Sequence, residues 1–310
     1  MRKLLILSDC GERVPHLTDD FSVIALPVDA DEKTRLMHME DAEVIIGEPT
    51  VDELAQAKEL RWLQMTWAGA DRYLKGGFPR GVTLTTASGA YGETIAEHAL
   101  AMLFALCRRL PAYARENSWS DLGSEKKLAG GTALIFGCGD IGTAIAKRLK
   151  ALGVQTIGVC RDLKKPRLYF DVKTNLTCAE AFLDKADFVL CALPHSSETE
   201  KYLNKERLTL LKDDAVLVNV GRGSFIDTDF LAELMQTGKL FGAGLDVTET
   251  EPLPMEHPIW ALPNAIITPH VAGIGFGHLP ETEEKIWSIC RENISRYLKG
   301  ETLRNVVKIP

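Results

Sequence analysis

Thr132-Ala133-Leu134-Ile135-Phe136-Gly137-Cys138-Gly139-Asp140-Ile141-Gly142 joins an apolar run to a G-x-G-x-x-G turn, and a helical pattern follows at once over Thr143 to Leu152. Strand, glycine turn and helix in that order form the βα turn that cradles the pyrophosphate of a dinucleotide. Gly137 permits the tight turn, Gly139 lets a phosphate approach the backbone, and Gly142 lets the helix close on the strand. Asp140 and Ile141 open the helix, where free N–H groups and the helix dipole favour negative charge. The expected pyrophosphate contacts are therefore Gly137, Gly139, Asp140, Ile141 and Gly142.

Outward from this turn the βαβ rhythm continues. Strands are expected at 132–136, 155–159, 187–191, 215–219, 241–244 and 265–268, with helical stretches at 140–152, 177–184 and 227–236. Six strands with intervening helices fit a doubly wound dinucleotide domain. The N-terminal part shows the same alternation. Leu4–Leu7, Val23–Leu26, Val44–Ile46, Trp62–Thr66 and Val82–Thr85 read as strands, and Asp31–Glu40 and Val51–Lys58 as helices, which predicts a second parallel sheet with helical crossovers. A long helix from about Glu93 to Leu110 should be broken by Pro111. Its run from Ala99 to Leu106 is apolar on every face, which predicts burial on most sides, between domains or subunits. A last helix at about 280–299 leaves too little chain for a third domain and should dock back on the first.

The fold class is α/β, with two doubly wound parallel-sheet domains. Residues 1–94 plus 276–310 are expected to form one domain and 95–275 the other, with hinges near 92–95 and 272–277. At 310 residues, 45% hydrophobic and 25% charged, with mean hydropathy near zero, the chain is an ordinary globular protein. A net charge of −7 argues against nucleic acid or an anionic membrane as partner. The apolar run after Met1-Arg2-Lys3 is too short for a signal peptide, and no segment is long enough to span a bilayer. The seven cysteines (Cys10, Cys107, Cys138, Cys160, Cys178, Cys191 and Cys290) are odd in number and show no recurring close pair, which points to reduced thiols in the cytoplasm. Neither Cys nor His shows metal-ligand spacing, so no metal is expected.

Three further stretches carry polar groups at expected strand ends: Val218-Asn219-Val220-Gly221-Arg222-Gly223, Gly244-Leu245-Asp246-Val247-Thr248-Glu249-Thr250-Glu251-Pro252, and Ile266-Ile267-Thr268-Pro269-His270-Val271-Ala272-Gly273. Ligands of open α/β sheets bind outside the carboxyl ends of the strands. Arg222, Glu251 and His270 are thus expected to converge on one crevice, despite their separation in sequence.

In this order, GCGDIG, NVGRG, DVTETEP and TPHVAG resemble the D-isomer-specific 2-hydroxyacid dehydrogenases, in particular an NADP-preferring branch like the glyoxylate/hydroxypyruvate reductases. Gly92-Glu93-Thr94-Ile95-Ala96-Glu97-His98 resembles that family's interdomain helix start, and Leu193-Pro194-His195-Ser196-Ser197-Glu198-Thr199 its cofactor-edge loop. The resemblance implies a Rossmann cofactor domain inserted into a flavodoxin-like substrate domain, and NAD(P)H-dependent reduction of a 2-keto acid to a D-2-hydroxy acid. It implies Arg222, Glu251 and His270 as catalytic residues. Arg222 grips a carboxylate or carbonyl through its planar fork, His270 donates the proton, and Glu251 hydrogen-bonds the other ring nitrogen. Leu193, Pro194, Thr199, Val220, Gly221, Arg222, Asp246, His270 and Gly273 are the further cofactor contacts that it implies, Asp246 near the nicotinamide carboxamide. Ala68, Gly69 and Ala70, in Trp67-Ala68-Gly69-Ala70-Asp71, resemble the loop whose N–H groups bind the substrate carboxylate, with Arg222 and His270 completing the substrate site. Cys138 and Thr248 depart from the family's usual Leu and aromatic residue without touching the chemistry. The apolar 99–106 helix and Asn117-Ser118-Trp119 resemble dimer elements, implying a homodimer.

The acid expected about 20 residues past the glycines of an NAD enzyme is replaced by Arg161, with Lys164 and Lys165 following. An arginine there suits a 2′-phosphate, so NADP(H) is the expected cofactor, with NAD(H) as the alternative if Asp162 takes the ribose. His195 is expected to be structural, and His98 a packing or helix hydrogen-bonding residue. Trp67, Tyr91, Phe276 and Trp287 are aromatic candidates for the pocket wall. Two alternative functions are a dehydrogenase of a phosphorylated hydroxy acid and an NAD(P)-binding sensor of corepressor type.

Overall fold

The computed structural model of the protein describes residues 2–8 and 16–309. Met1 and the Asp9-Cys10 pair read above lie outside the described residues. The chain forms two compact units, one running to Tyr91 and resuming at Ile274, the other spanning Gly92–Gly273.

In the first unit the apolar runs become a five-stranded parallel sheet of β1 (Arg2–Leu7), β2 (Phe21–Leu26), β3 (Val44–Gly47), β4 (Trp62–Gln64) and β5 (Thr83–Thr85), in the order β2-β1-β3-β4-β5. That is the flavodoxin-like order. β1 and β3 are buried on both faces, which is why they read as unbroken apolar runs rather than alternating ones. Helix α1 (Glu32–Met39) is capped by the Asp31 side chain, and α2 (Val51–Leu54) opens with a full capping box between Thr50 and Glu53. α2 stops at Leu54, short of the expected Lys58, because the next turns close by i to i−3 bonds from Gln56 and Ala57. A third short helix, α3, covers Asp71–Leu74.

The second unit carries seven parallel strands: β6 (Thr132–Phe136), β7 (Gln155–Val159), β8 (Val172–Thr174), β9 (Phe188–Cys191), β10 (Val216–Asn219), β11 (Gly242–Leu245) and β12 (Ala265–Ile267), ordered β12-β11-β10-β9-β6-β7-β8. The order reverses between β6 and β9, the switch point of a doubly wound sheet. The six expected strands are all present. The seventh, β8, is a three-residue edge strand with one buried side chain, too short and polar to register as a period. The helix expected at 177–184 is a 3-10 turn over Ala179–Phe182.

Helix α4 (Gly92–Cys107) ends before Pro111, not at it. Arg109 adopts a left-handed φ of 53°, and Pro111 sits in the first turn of α5 (Leu110–Arg115), where its missing N–H costs nothing. Nor is α4 enclosed on every face within its unit. Ala99, Leu100, Met102, Leu103 and Leu106 are buried against α6 (Asp140–Ala151), β10 and β11, whereas Phe104 is 40% exposed.

Helices α7 (Lys205–Thr209) and α8 (Thr228–Gln236) belong to the second unit, whereas the C-terminal helix α9 (Pro280–Leu298) belongs to the first and is tied to its sheet by a buried polar network. Asn293 Nδ2 donates to Gln64 Oε1 (2.7 Å) and to the Arg304 carbonyl (3.1 Å), while its Oδ1 accepts from Arg304 N (2.7 Å). Gln64 Oε1 also accepts from Thr85 Oγ1 (2.8 Å), which in turn accepts from Trp62 Nε1 (2.8 Å). Every member of this network is satisfied, and removing one strands the others in an apolar setting. Asn293→Ala should therefore cost about 2–4 kcal/mol, measured by urea denaturation; a loss under ~0.5 kcal/mol would show that α9 is held by packing alone.

Candidate active site

The glycine turn has the shape that its spacing predicts. Gly137 has a φ of 109°, which an L side chain rarely adopts. A Cβ on Gly142 would lie 1.8 Å from the Gly137 carbonyl oxygen, so only glycine lets α6 start against the strand. Gly139, the N-cap of α6, faces open space and supplies no side-chain cap, leaving the first N–H groups of α6 directed at a free approach. These features fit a pyrophosphate at this position. Asp140 is exposed beside Gly92; a Cβ on Gly92 would fall 2.4 Å from Asp140 Oδ1. Ile141 is partly buried.

Three strand ends then meet through backbone. A Cβ on Gly221 would lie 2.7 Å from the Leu193 carbonyl oxygen, so the loops after β9 and β10 touch main chain to main chain. Val220 N donates to the Cys191 carbonyl (3.0 Å). In the 193–199 loop, Thr199 spends its hydroxyl internally, accepting from Ser196 N (2.8 Å) and donating to the Pro194 carbonyl (3.0 Å). His195 Nδ1 pairs with Ser224 Oγ (3.0 Å), a structural bridge to the arginine loop.

Arg222 is set by its neighbours. Asn219, fully buried at the end of β10, accepts from Gly221 N (3.0 Å) and donates to the Arg222 carbonyl (3.0 Å). Phe225, just beyond, stacks with Tyr202 and meets Phe136 edge-on, at 5.5 and 5.1 Å between centroids. Arg222 Nη1 donates to the Gly221 carbonyl (2.7 Å). A Cβ on Gly223 would stand 1.8 Å from the Thr248 carbonyl oxygen, so the arginine loop lies directly on the loop that carries Glu251.

His270 and Glu251 form the expected pair, with His270 Nδ1 and Glu251 Oε2 2.9 Å apart and the two side chains 51% and 40% exposed. Glu251 Oε1 accepts from Thr248 N (3.2 Å), which orients the carboxylate. Since Nδ1 faces the carboxylate, Nε2 is the ring nitrogen left to meet a substrate.

Asp246, expected near the nicotinamide carboxamide, has donors within the chain. Its carboxylate is buried and engaged: Oδ1 accepts from Thr268 Oγ1 (2.6 Å) and Val271 N (2.9 Å), and Oδ2 from Ala272 N (3.1 Å). Its carbonyl accepts from His270 N (2.8 Å). This set holds His270 at a left-handed φ of 56°, a conformation that costs energy for any residue but glycine. His98, on α4, adds Nε2 at 3.1 Å from Thr268 Oγ1; as that hydroxyl gives its proton to Asp246, His98 Nε2 is the donor. Thr268 and Asn219 were not legible as site residues, since a short polar side chain at a strand end looks the same whether it caps a turn or aims a catalytic loop. Gly273 is the last residue of the unit.

At the end of β7, Arg161 is exposed and its guanidinium has no partner among the described residues. The Asp162 carboxylate accepts from Lys164 N (2.9 Å) and Lys165 N (3.3 Å), closing its own turn.

The first unit bears the remaining expected residues. The N–H groups of Ala68, Gly69 and Ala70 have no acceptor among the described residues. Of the four aromatic candidates, Trp67 is 49% exposed with the Arg72 guanidinium 5.0 Å over its ring, while Tyr91 and Trp287 are buried and Phe276 meets Trp287 edge-on.

Comparison with known proteins agrees with this geometry. Residues 100–272 match the family described as D-isomer specific 2-hydroxyacid dehydrogenase, NAD binding domain. The glyoxylate reductase of Korarchaeum cryptofilum is 31% identical over 260 residues, 81% of this chain and 77% of the relative. A crystal structure of a D-isomer specific 2-hydroxyacid dehydrogenase family protein from Aeromonas salmonicida superposes with a TM-score of 0.85 at 31% identity, covering 99% of each chain. The NADPH-dependent glyoxylate/hydroxypyruvate reductase of Sinorhizobium meliloti, solved with NADP and sulfate, also gives 0.85, at 25% identity over 99% of this chain and 98% of that one. With a family match over more than half its length, and that match containing the glycine turn and the loops that carry Arg222, Glu251 and His270, this chain belongs to the D-isomer specific 2-hydroxyacid dehydrogenase family.

Proposed function

We propose that the protein reduces a small 2-keto acid to the D-2-hydroxy acid with a nicotinamide coenzyme, and catalyses the reverse reaction. The observation that carries this reading is the His270–Glu251 pair at 2.9 Å beside the arginine loop. On this reading the unit 92–273 holds the coenzyme.

The bound coenzyme supplies the hydride; everything else falls to the chain. The open N–H groups at Gly139 and the start of α6 take the pyrophosphate. The Arg222 fork holds the substrate and orients its carbonyl; in the first unit the N–H groups of Ala68, Gly69 and Ala70 are donors suited to a carboxylate. His270 Nε2 delivers a proton to the carbonyl oxygen as it gains charge, and in oxidation takes it back. Glu251 fixes the ring through Nδ1 and stabilises the imidazolium. Asp246, Thr268 and His98 hold the histidine loop in position.

An absorbance screen with glyoxylate, hydroxypyruvate and branched 2-keto acids should show coenzyme oxidation with at least one. His270→Gln should then lower kcat by ~10²-fold or more. Coenzyme consumption by none of them points to a sensor, and full turnover in the variant assigns the proton to another group.

The coenzyme is read as NADP(H). Arg161 stands without a partner among the described residues, while Asp162 is committed to its own turn. The wild type should give a higher kcat/KM with NADPH than with NADH. Arg161→Ala should raise KM for NADPH by about tenfold, leaving that for NADH nearly unchanged; an equal effect on both coenzymes refutes the assignment.

A homodimer is also proposed, on the exposed apolar residues Trp119, Leu110 and Phe104. The six described cysteines are free thiols, which supports a reducing compartment such as the cytoplasm. Analytical ultracentrifugation at micromolar concentration should give the mass of two chains; a monomer contradicts the dimer.

A further inference from the structure

Glu48 lies just beyond β3, before Pro49, and points at the start of the substrate loop. Its Oε1 accepts from Thr66 N (2.7 Å), Trp67 N (3.0 Å) and Thr66 Oγ1 (3.0 Å). Among the described residues, Oε2 meets only the Thr66 hydroxyl, at 3.0 Å. The carbonyls around it are taken as well: Thr66 O by the Tyr91 hydroxyl (2.7 Å), Pro49 O by the Tyr73 hydroxyl (2.7 Å) and Glu48 O by Arg72 Nη1 (2.8 Å). With Thr66 and Trp67 N–H drawn in toward Glu48, the next three N–H groups, of Ala68, Gly69 and Ala70, are the ones left for a ligand.

We propose that Glu48 is the positioning residue of this loop, and that it does so as the neutral acid when a carboxylate occupies the loop. The proposal rests on the reading of 68–70 as the substrate-carboxylate site. A carboxylate anion next to a loop that binds anions is electrostatically adverse. The geometry removes the conflict: the two N–H donors converge on Oε1, so a proton fits on Oε2, where the Thr66 hydroxyl accepts it without loss of any bond. Burial is the dominant influence on Glu48 and pushes its pKa up to about 7, against the lowering effect of the Trp67 and Thr66 donors and of the Arg72 guanidinium. Tyr73 on α3 and Tyr91 are the other titratable groups that feel Glu48; burial raises both, so they remain neutral donors. An anion in the loop favours the neutral acid further, so binding takes up a proton, and affinity falls as pH rises through about 7.

The test is isothermal titration calorimetry of oxamate, a carboxylate resembling a small 2-keto acid that hydride does not reduce, into the full chain saturated with NADPH and in parallel with NADH. Wild type, Glu48→Gln and Glu48→Ala are compared at pH 6 and pH 8. The Gln variant keeps the Oε1 acceptor and can never carry charge. It should match the wild type within about twofold at pH 6 and bind up to about tenfold tighter at pH 8, the factor for a pH one unit above the pKa. The Ala variant, which lacks the acceptor, should bind about tenfold more weakly at both pH values. Any contribution from the His270–Glu251 pair is common to all three proteins and cancels in the ratio. A wild-type to Gln ratio that is equal at both pH values overturns the proposal, as does undiminished binding by a folded Ala variant or no binding by the wild type at pH 6. If the Ala variant does not fold, the Gln comparison decides alone. Turnover of 2-keto acids, measured separately, keeps the two readings apart: reduction with a constant ratio sinks only the Glu48 proposal, and the stated pH behaviour without reduction sinks only the reductase reading.

Discussion

The buried carboxylate of Asp246 is the constraint on which the loop carrying His270 depends. A carboxylate removed from water without partners costs several kcal/mol, so it recruits every donor within reach. Here those donors are the Thr268 hydroxyl and the N–H groups of Val271 and Ala272, all from the loop that carries His270. Satisfying the charge therefore shapes the loop. The left-handed backbone of His270 is the strained element in that arrangement, and the bonds on either side of it keep it there.

Close approach of backbone does the equivalent work for the arginine and the glutamate. Gly221 lies on the Leu193 main chain and Gly223 on the Thr248 main chain, at separations that no Cβ would permit. Loops from β9, β10 and β11 are thereby stacked without intervening side chains, and the charged groups project from a layer of main chain. The aromatic cluster of Phe136, Tyr202 and Phe225 anchors this layer to the strand that feeds the glycine turn. The glycine turn and the loops that carry Arg222 and Glu251 are thus parts of one packed body.

The first unit solves a related problem with a carboxylate of its own. Glu48 absorbs two N–H groups and a hydroxyl from the chain leaving β4, and so decides which N–H groups of the following loop face outward. Asp246 and Glu48 resemble each other in that both aim a loop by accepting from its backbone. They differ in setting, since Asp246 is met by donors on both of its oxygens, whereas Glu48 gathers the N–H donors on one and burial raises its pKa to about 7.

Much of this was legible in the letters. Parallel strands buried on both faces read as apolar runs, so β1, β3, β6, β9 and β10 stood out, and the glycine turn was fixed by sterics that its spacing encodes. The meeting of His270 with Glu251, and of the Arg222 loop with the loop that carries Glu251, was legible because strand ends in such a sheet face one edge. Less was visible where position depends on neighbours distant along the chain. The three-residue β8 has no period of its own and exists because β7 offers it an edge. Pro111 looked like a stop, but the turn at Arg109 had already ended the helix and left the proline to begin the next. The donors to the Asp246 carboxylate lie 22 to 26 positions further on, outside any local pattern. Sequence alone determined the two parallel sheets, the dinucleotide turn and the chemical types at the strand ends, because those follow from local sterics and from periodicities of two and 3.6. Only the tertiary structure decided which polar groups aim loops and which face a ligand, because a hydrogen-bonding side chain takes its role from the donors and acceptors that folding brings against it.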